Sequence, residues 1–328
     1  QQRILKDVPE YVIHYEGFTN DRNANENLDI ARKRLSHQVF SGEQWPLFEL
    51  CVTLVNKNEA IVYASFDALV LDASSMKILA KDLNQFLKDI HTNLPPLDIT
   101  FRDYVLALED QRETASYLDA KKYWLDRVLT LPLGPDLPLA VDPSSIESPR
   151  FERRKHWMAH EQWRVLKAQA NSLNVTPTVF LISCLSRIIH QWCQSSSFTL
   201  NLTLYNRMPL HPSVEYILGD FTSLSLLEIN ESEIFEDLVL TIQRQLLNDL
   251  EHKQFGGLEV QRALLSAGRK SNFPVVVTST LALTDNFKPV IIEDEFNASP
   301  EIDNEEKSFG ITQTSQVWLD IQIVEDNQ

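Results

Sequence analysis

The chain has 328 residues, of which 43% are hydrophobic, and carries a formal net charge of −16. That length predicts about two domains or two subdomains of one unit, and the hydrophobic fraction is high enough to exclude wholesale disorder. The acidic balance argues against a nucleic-acid partner, and the lack of any run of about 18 apolar residues argues against a membrane-spanning helix.

Apolar spacing predicts the elements of the first 130 residues. A period near 3.6 is typical of a half-buried helix, and short β-branched or aromatic runs between turn residues are typical of strands. In chain order these patterns predict a helix at 23–40, strands at 50–55 and 60–65, and helices at 74–90, 101–109 and 113–130. Ser74 or Ser75 is expected to cap the helix at 74–90 by accepting a backbone hydrogen bond.

A proline-rich segment separates the two halves of the sequence. Prolines stand at positions 132, 135, 138, 143 and 149, and proline neither continues a helix nor donates to a strand. We therefore expect an N-terminal subdomain at 1–145 and a C-terminal subdomain at 146–328.

The second half mixes strands and helices with few regular strand–helix–strand crossovers. Its patterns predict a strand at 151–157, helices at 161–172 and 177–193, strands at 198–204 and 222–229, helices at 233–252 and 257–267, and strands at 274–279 and 316–323. This order favours a mixed α/β fold with a layered mixed sheet over a barrel.

The negative charge is concentrated near the C-terminal end. Residues 285–328 contain eleven acidic and two basic side chains, a net charge of −9. One interpretation is a solvated acidic loop, and the other is a surface that steers a partner. Neutralising Glu301, Asp303, Glu305 and Glu306 would separate the two, because only the second predicts changed affinity for a partner.

Several common catalytic and binding motifs are missing. With only 8 glycines, the sequence contains no phosphate-binding loop, no dinucleotide-binding glycine motif and no G-x-S-x-G elbow. Cys51, Cys184 and Cys193 lie far apart and form no C-x-x-C pair. A disulfide framework or a metal site is therefore not expected, and the cysteine usage fits a reducing cytoplasm.

Two carboxylates stand five residues apart at a predicted strand-to-helix junction. Asp67 and Asp72 could share a proton and act as acid and base if they met in space. The structural alternative is that Asp67 ends a strand while Asp72 caps the helix or pairs with an arginine. Spacing alone leaves both interpretations open.

The stretch around these carboxylates carries a family resemblance. FDALVLDASS, at 66–75, resembles the D-x-x-x-x-D-x-x-S core of heterocyclization domains in nonribosomal peptide synthetases, matched by Asp67, Asp72 and Ser75. Related condensation domains have H-H-x-x-x-D-G at this place, where this chain has Asp67 and Ala68 instead of the two histidines.

Six further stretches resemble motifs of the same family and follow in the same order. They are LPLGPDLPLAVDP at 131–143, TPTVFLISCLSRIIHQW at 176–192, FTLNLTLYNRMPLHP at 198–212, GDFTSLSLL at 219–227, FPVVVTSTL at 273–281 and TQTSQVWLD at 312–320. Val277 replaces the family's Phe, and Ser315 replaces its Pro. The motifs that normally precede the D-x-x-x-x-D core are missing, as are the Trp-Asp pair and the final helix that follow the last motif. The resemblance therefore implies a domain truncated at both ends.

The resemblance implies a chloramphenicol acetyltransferase-like fold, with two subdomains in a V around a central tunnel and the N-terminal one partial. It implies amide formation between a carrier-bound acyl or peptidyl thioester and a carrier-bound Cys, Ser or Thr, followed by cyclodehydration to a thiazoline or oxazoline. The domain would bind no cofactor of its own. Its partners would be upstream and downstream carrier proteins bearing 4′-phosphopantetheine and a neighbouring adenylation domain.

The resemblance also implies roles for individual residues. Asp320 and Thr278 match the catalytic Asp and Thr, and alternation along 317–323 puts Asp320 on the polar side of a strand. The expected substrate or tunnel-lining residues are Asn201, Asn206, Gln313 and Asp67. The residues expected to be structural are Asp72, Ser75 and Arg207, with Arg207 as the partner of Asp72.

Two alternatives remain open. One is a condensation domain that forms only the amide. The other is a non-catalytic domain that docks carriers, which the departures at Val277 and Ser315 keep open.

Overall fold

Two mixed sheets and eight helices make up the described part of the chain. The computed structural model describes residues 2–16, 24–56, 59–281, 310–314 and 316–325. The strands are β1 (His14–Glu16), β2 (Phe48–Asn56), β3 (Glu59–Phe66), β4 (Ser197–Tyr205), β5 (Thr222–Asn230), β6 (Val275–Ser279) and β7 (Leu319–Ile323). The helices are α1 (Ala24–Ser36), α2 (Ala73–Lys88), α3 (Phe101–Asp110), α4 (Ala115–Arg127), α5 (His160–Ser172), α6 (Pro177–His190), α7 (Phe235–Glu251) and α8 (Gly257–Ser266).

The strands form one sheet in each half of the chain. The first has the order β1-β2-β3, with β1 parallel and β3 antiparallel to β2. The second has the order β5-β4-β6-β7, with β5 antiparallel to β4 and both other pairs parallel. The predicted mixed α/β class with layered mixed sheets is confirmed.

Helices α6 and α7 cover one face of the second sheet, and the main hydrophobic core lies between them and the sheet, whereas α8 packs against β5 on the other face. Buried side chains of α6 and α7 pack against alternate residues of β4, β5 and β6. Ile321 and Ile323 of β7 reach the same core, whereas Leu319 at the start of the strand is 40% exposed. Because alternate residues of a strand point to opposite faces, burying the apolar residues in this core places the polar residues of the same strands on the other face.

Most predicted elements are present with shifted ends, and two expectations are wrong. No strand forms at 151–157, where all the side chains except that of Phe151 are exposed and none lies in a ladder. A strand needs a neighbour and a face to bury, and charged residues at 152–155 supply neither. The cap of α2 is Asp72 rather than Ser74 or Ser75. The short strand β1 was not predicted.

The proline-rich segment contains only a short 3₁₀ turn, Pro143–Ser145. A second hydrophobic cluster joins α4 and Leu131, which precede this turn, to Leu226 of β5 and to α8 and Phe273, which follow it. The division at 145/146 therefore stays a prediction, and packing continues across it. The acidic side chains Glu301, Asp303, Glu305 and Glu306 lie outside the described residues.

Within the described ranges, no single helix is long and apolar enough to cross a membrane. Helices α5 and α6 meet that criterion only when taken together, and they are bent by 97° at their junction.

A buried ionic network attaches α4 to the second sheet and to α7. Asp249 is fully buried, and its Oδ1 accepts hydrogen bonds from Arg127 Nη1 at 2.7 Å, Tyr123 Oη at 2.8 Å and Gln245 Nε2 at 2.9 Å. Arg127 Nη2 also donates to Glu228 of β5 at 3.1 Å. Burial raises the pKa of the Asp249 carboxyl, because removing the charge from water outweighs these donors.

We expect the stability that Asp249 contributes to fall as pH rises. A carboxyl whose pKa is higher in the folded than in the unfolded chain favours folding fully below its unfolded pKa of about 4, and loses that contribution as pH rises through the folded pKa. Urea unfolding from about pH 4 to pH 8 should show the unfolding free energy of wild type falling relative to that of Asp249→Asn. A gap between the two proteins that does not depend on pH would contradict this expectation. The control Asp126→Asn alters an exposed pair with Lys122 and should cost less than about 1 kcal/mol.

Candidate functional site

Strand register brings the polar residues of β4, β6 and β7 onto one face. Asn201 lies beside Val276, which lies beside Asp320, while Thr203, Thr278 and Gln322 form the next row. Neighbours across a sheet point to the same side, and so do residues two apart along a strand. The opposite face packs into the hydrophobic core. We call the set Asn201, Thr203, Thr278, Asp320 and Gln322 the polar face.

Asp320 is half-buried and is tied to two neutral polar side chains. Its Oδ2 accepts hydrogen bonds from Thr312 Oγ1 at 3.1 Å and from Gln322 Nε2 at 3.0 Å. Gln322 Nε2 also donates to Thr312 Oγ1 at 2.9 Å. Gln313, which follows Thr312, is exposed.

Thr278 and Asn201 present further polar atoms on the same face. Thr278 Oγ1 donates to Thr203 Oγ1 at 2.9 Å, so its hydrogen bond goes to β4 rather than to Asp320. Asn201 is 7% exposed, and its Oδ1 finds no hydrogen-bond partner among the described residues. A buried amide oxygen without a partner is uncommon and costly in a stable fold. The face therefore holds an acceptor available to a polar group.

Asn206 lies just beyond the end of β4 and is half-buried. Its backbone carbonyl accepts a hydrogen bond from Tyr104 Oη at 3.1 Å, which ties α3 to the end of β4. This contact fixes the backbone at the edge of the polar face.

Asp72, Ser75 and Arg207 form a buried network between the start of α2 and the end of β4. Asp72 Oδ1 accepts from the Ser75 backbone N–H at 2.7 Å and from Arg207 Nη2 at 3.1 Å, so the predicted ion pair is present. Arg207 also donates to Ser75 Oγ at 2.9 Å and lies 4.0 Å above the Phe221 ring. Ser75 Oγ donates to the Gly219 carbonyl at 2.8 Å.

Asp67 lies outside that network. Its Oδ1 accepts a hydrogen bond from the backbone N–H of Leu69 at 2.9 Å, which is an Asx turn at the end of β3. Among the described contacts, Asp67 and Asp72 share no hydrogen bond. The environments of the two carboxylates match the structural alternative better than a shared-proton pair.

Sequence reasoning missed Tyr205, Thr312 and Gln322. Tyr205 continues the alternation of Asn201 and Thr203, but the strand was expected to end at 204. Burial, followed by the charges of Asp72 and Asp320, raises the pKa of Tyr205 to about 12. The same alternation places Gln322 on the same face as Asp320. Thr312 is the first residue of its motif, and nothing else in the nearby sequence indicates a role for it.

The histidines and cysteines have structural surroundings. His211 Nδ1 accepts from the Ser213 backbone N–H, and the His252 ring stacks on that of Tyr123 with centroids 4.0 Å apart. Burial and the charge of Asp136 raise the pKa of Cys193 to about 11, which keeps its thiol protonated. Within the described ranges, no three His, Cys, Asp or Glu side chains gather as metal ligands.

Comparison with known proteins finds similar sequences along almost the whole chain. The family model described as "Condensation domain" matches residues 1–327. The chain is 33% identical to bacitracin synthase 1 of Bacillus licheniformis over 99% of its own length and 6% of that protein. It is 32% identical to phenyloxazoline synthase MbtB of Mycobacterium tuberculosis over 92% of its own length and 21% of that protein. It therefore spans a small part of these relatives.

A solved structure agrees with the fold. The crystal structure of the EpoB NRPS cyclization-docking bidomain from Sorangium cellulosum superposes with a TM-score of 0.81 at 31% identity. The match covers 99% of this chain and 65% of the bidomain. The predicted chloramphenicol acetyltransferase-like fold is confirmed.

We expect Arg207→Met to destabilise the fold strongly, because it leaves the buried Asp72 carboxylate without its cation. Removing one partner of such a pair costs about 3–5 kcal/mol. The matched control is Arg164→Met, since Arg164 pairs with Glu161 on the exposed surface of α5. The control should cost less than about 1 kcal/mol. Guanidinium unfolding of both variants is the measurement, and equal small losses would contradict a structural role for the pair.

Proposed function

The chain belongs to the condensation-domain family, and we propose that it acts there as a heterocyclization domain of a nonribosomal peptide synthetase. The observation that carries this proposal is the polar face, on which a half-buried Asp320 shares one side of the sheet with Thr278 and the unsatisfied oxygen of Asn201. The motif at Asp67 and Ala68 supports it, because the histidine pair of ordinary condensation domains is absent there. Two similar proteins are named "phenyloxazoline synthase" and "cyclization-docking bidomain", which supports the same proposal.

The proposed first step forms an amide. The amine of a carrier-bound Cys, Ser or Thr attacks the carbonyl carbon of an acyl or peptidyl thioester on a second carrier. A C–N bond forms, the C–S bond breaks, and the released thiolate takes up the proton that the amine loses. A thioester is a good electrophile, so this step needs little acid–base assistance.

The proposed second step closes the ring. The side-chain thiol or hydroxyl of the same residue attacks the new amide carbonyl carbon, forming a C–S or C–O bond, and its proton moves to the carbonyl oxygen. That oxygen then takes the proton of the amide nitrogen and leaves as water, while a C=N bond forms. The product is a thiazoline or an oxazoline. An amide carbonyl resists attack, so this step needs a positioned acid and base.

We assign that acid–base role to Asp320. It takes the proton of the attacking thiol or hydroxyl and returns a proton to the departing oxygen, a contribution of about 10²–10⁴-fold. The Thr278 hydroxyl can turn from Thr203 to donate to the departing oxygen, and Asn201 Oδ1 can accept from the amide N–H. Asp72, Ser75 and Arg207 hold the fold around this face.

The remaining proposals concern the surroundings of the site. Asn206, Gln313 and Asp67 would line the substrate tunnel between the two subdomains. Substrates would arrive on the 4′-phosphopantetheine arms of upstream and downstream carrier proteins, so the domain itself would hold no cofactor. A neighbouring adenylation domain would load the downstream carrier. Cys184 and Cys193 form no disulfide, which supports a location in the reducing cytoplasm.

We expect Asp320→Asn to lower ring closure by about 10²–10⁴-fold while the amide still forms, because only the second step needs the acid–base group. The measurement is the intact mass of the product-loaded carrier in the full-length synthetase, where the ring is one water lighter than the open amide. The control Asp126→Asn alters a surface carboxylate and should leave the ring yield unchanged.

Three results would contradict parts of the proposal. Unchanged ring yield in Asp320→Asn would remove Asp320 from the mechanism. Open amide as the only wild-type product would show a condensation-only domain. If a folded wild-type protein forms no amide between the two carrier-bound substrates, the non-catalytic carrier-docking alternative is favoured.

A further inference from the structure

We propose that Thr312 and Gln322 are positioning residues that hold Oδ2 of Asp320 and leave Oδ1 as the atom that exchanges the proton. This inference rests on the proposed function, since it concerns the group to which that function assigns acid–base catalysis. It gives roles to Thr312 and Gln322 and identifies the oxygen of Asp320 that would react.

The hydrogen bonds among the three side chains fix the direction of every donor. The Thr312 hydroxyl has a single proton, which it donates to Asp320 Oδ2 at 3.1 Å. The two protons of Gln322 Nε2 go to Asp320 Oδ2 at 3.0 Å and to Thr312 Oγ1 at 2.9 Å. The three groups therefore form a closed ring in which Oδ2 receives two hydrogen bonds.

The two oxygens of Asp320 are thereby made unequal. Oδ2 has two donors, whereas Oδ1 has no hydrogen-bond partner among the described residues. Hydrogen bonds to one oxygen of a carboxylate restrict rotation of the group and so hold the second oxygen in a fixed direction. Orienting a reacting atom in this way contributes to catalysis.

The positions of the two residues are set by different parts of the fold. Gln322 is on β7, two residues after Asp320, so the strand itself places both side chains on the polar face. Thr312 comes from the 310–314 segment, where Arg153 donates to the carbonyl of Gly310. After that segment, the Trp318 backbone N–H donates to the Pro274 carbonyl at 2.9 Å and leads the chain into β7. Thr312 can therefore reach Asp320 only if this segment folds back over the strand.

The test measures amide formation and ring closure separately in the full-length synthetase, with Thr312→Val and Gln322→Leu each compared with wild type. Either change removes a donor to Oδ2, so ring closure should slow by about tenfold while amide formation keeps the wild-type rate. Thr312→Ser keeps the hydroxyl and should restore the wild-type rate of ring closure.

The control is Thr130→Val, since Thr130 is exposed and donates only to the Arg127 carbonyl at the end of α4. This change should leave both rates unchanged. A merely structural loss would lower the amount of folded protein, and with it the rates of amide formation and ring closure together. If both Thr312→Val and Gln322→Leu fold and keep the wild-type rate of ring closure, the positioning role is wrong. Asp320→Asn in the same assay separates this failure from that of the proposed function, because a wild-type ring yield there would overturn both.

Discussion

The buried ion pair between Asp72 and Arg207 is the contact on which the arrangement of the site depends. Arg207 is the second residue after β4, the strand that carries Asn201 and Thr203, and Asp72 is the residue before α2. Two charges removed from water are stable only when most of their hydrogen-bonding atoms have partners. Here the partners come from both halves of the chain, and Arg207 Nε is the one atom of the pair without a partner among the described residues. Arg207 donates to the carbonyls of Val214 and Ile217 as well as to Asp72. Gly219 completes the contact, since a side chain there would overlap the Phe101 ring.

Two aspartates in family motifs have opposite surroundings, and the contrast supports different roles for them. Both oxygens of Asp72 are used, because Oδ1 faces Arg207 and the Ser75 N–H while Oδ2 accepts from the Phe221 N–H at 3.4 Å. A carboxylate paired in this way is engaged within the fold, and at 5% exposure it presents almost no surface to a substrate. Asp320 is half-buried, has only neutral donors and keeps one oxygen free of hydrogen bonds within the described chain. Such a difference in surroundings can give the acid–base role to one of two carboxylates and a structural role to the other.

The polar face could be predicted from the sequence, because residues alternate between the two faces of a strand. Features that depend on contacts between residues far apart in the sequence could not. The run from Asn201 to Tyr205 and the run from Asp320 to Gln322 follow a period of two, so the side of the sheet follows from sequence. Local capping preference favoured Ser74 or Ser75, whereas the cap is Asp72, a role that the sequence had left open for it, and its partner Arg207 is 135 residues away. No strand forms at 151–157, because four consecutive charged residues give neither an apolar face to bury nor a neighbouring strand. Thr312 became part of the site through a turn of the chain that no local pattern predicts.

The substitution at Val277 bears on whether the chain is catalytic. Val277 stands beside Thr278 in the motif, so a departure there looked like a change in the chemistry. In the fold its side chain is 1% exposed, lies on the opposite face of β6 and packs in the hydrophobic core with Leu200 and Leu202. Replacing a larger side chain at that position changes how the core is filled and leaves the polar face as it was. Val277 therefore gives little support to a non-catalytic domain. The other departure, Ser315, lies outside the described residues, so the choice between catalysis and docking depends on the polar face itself.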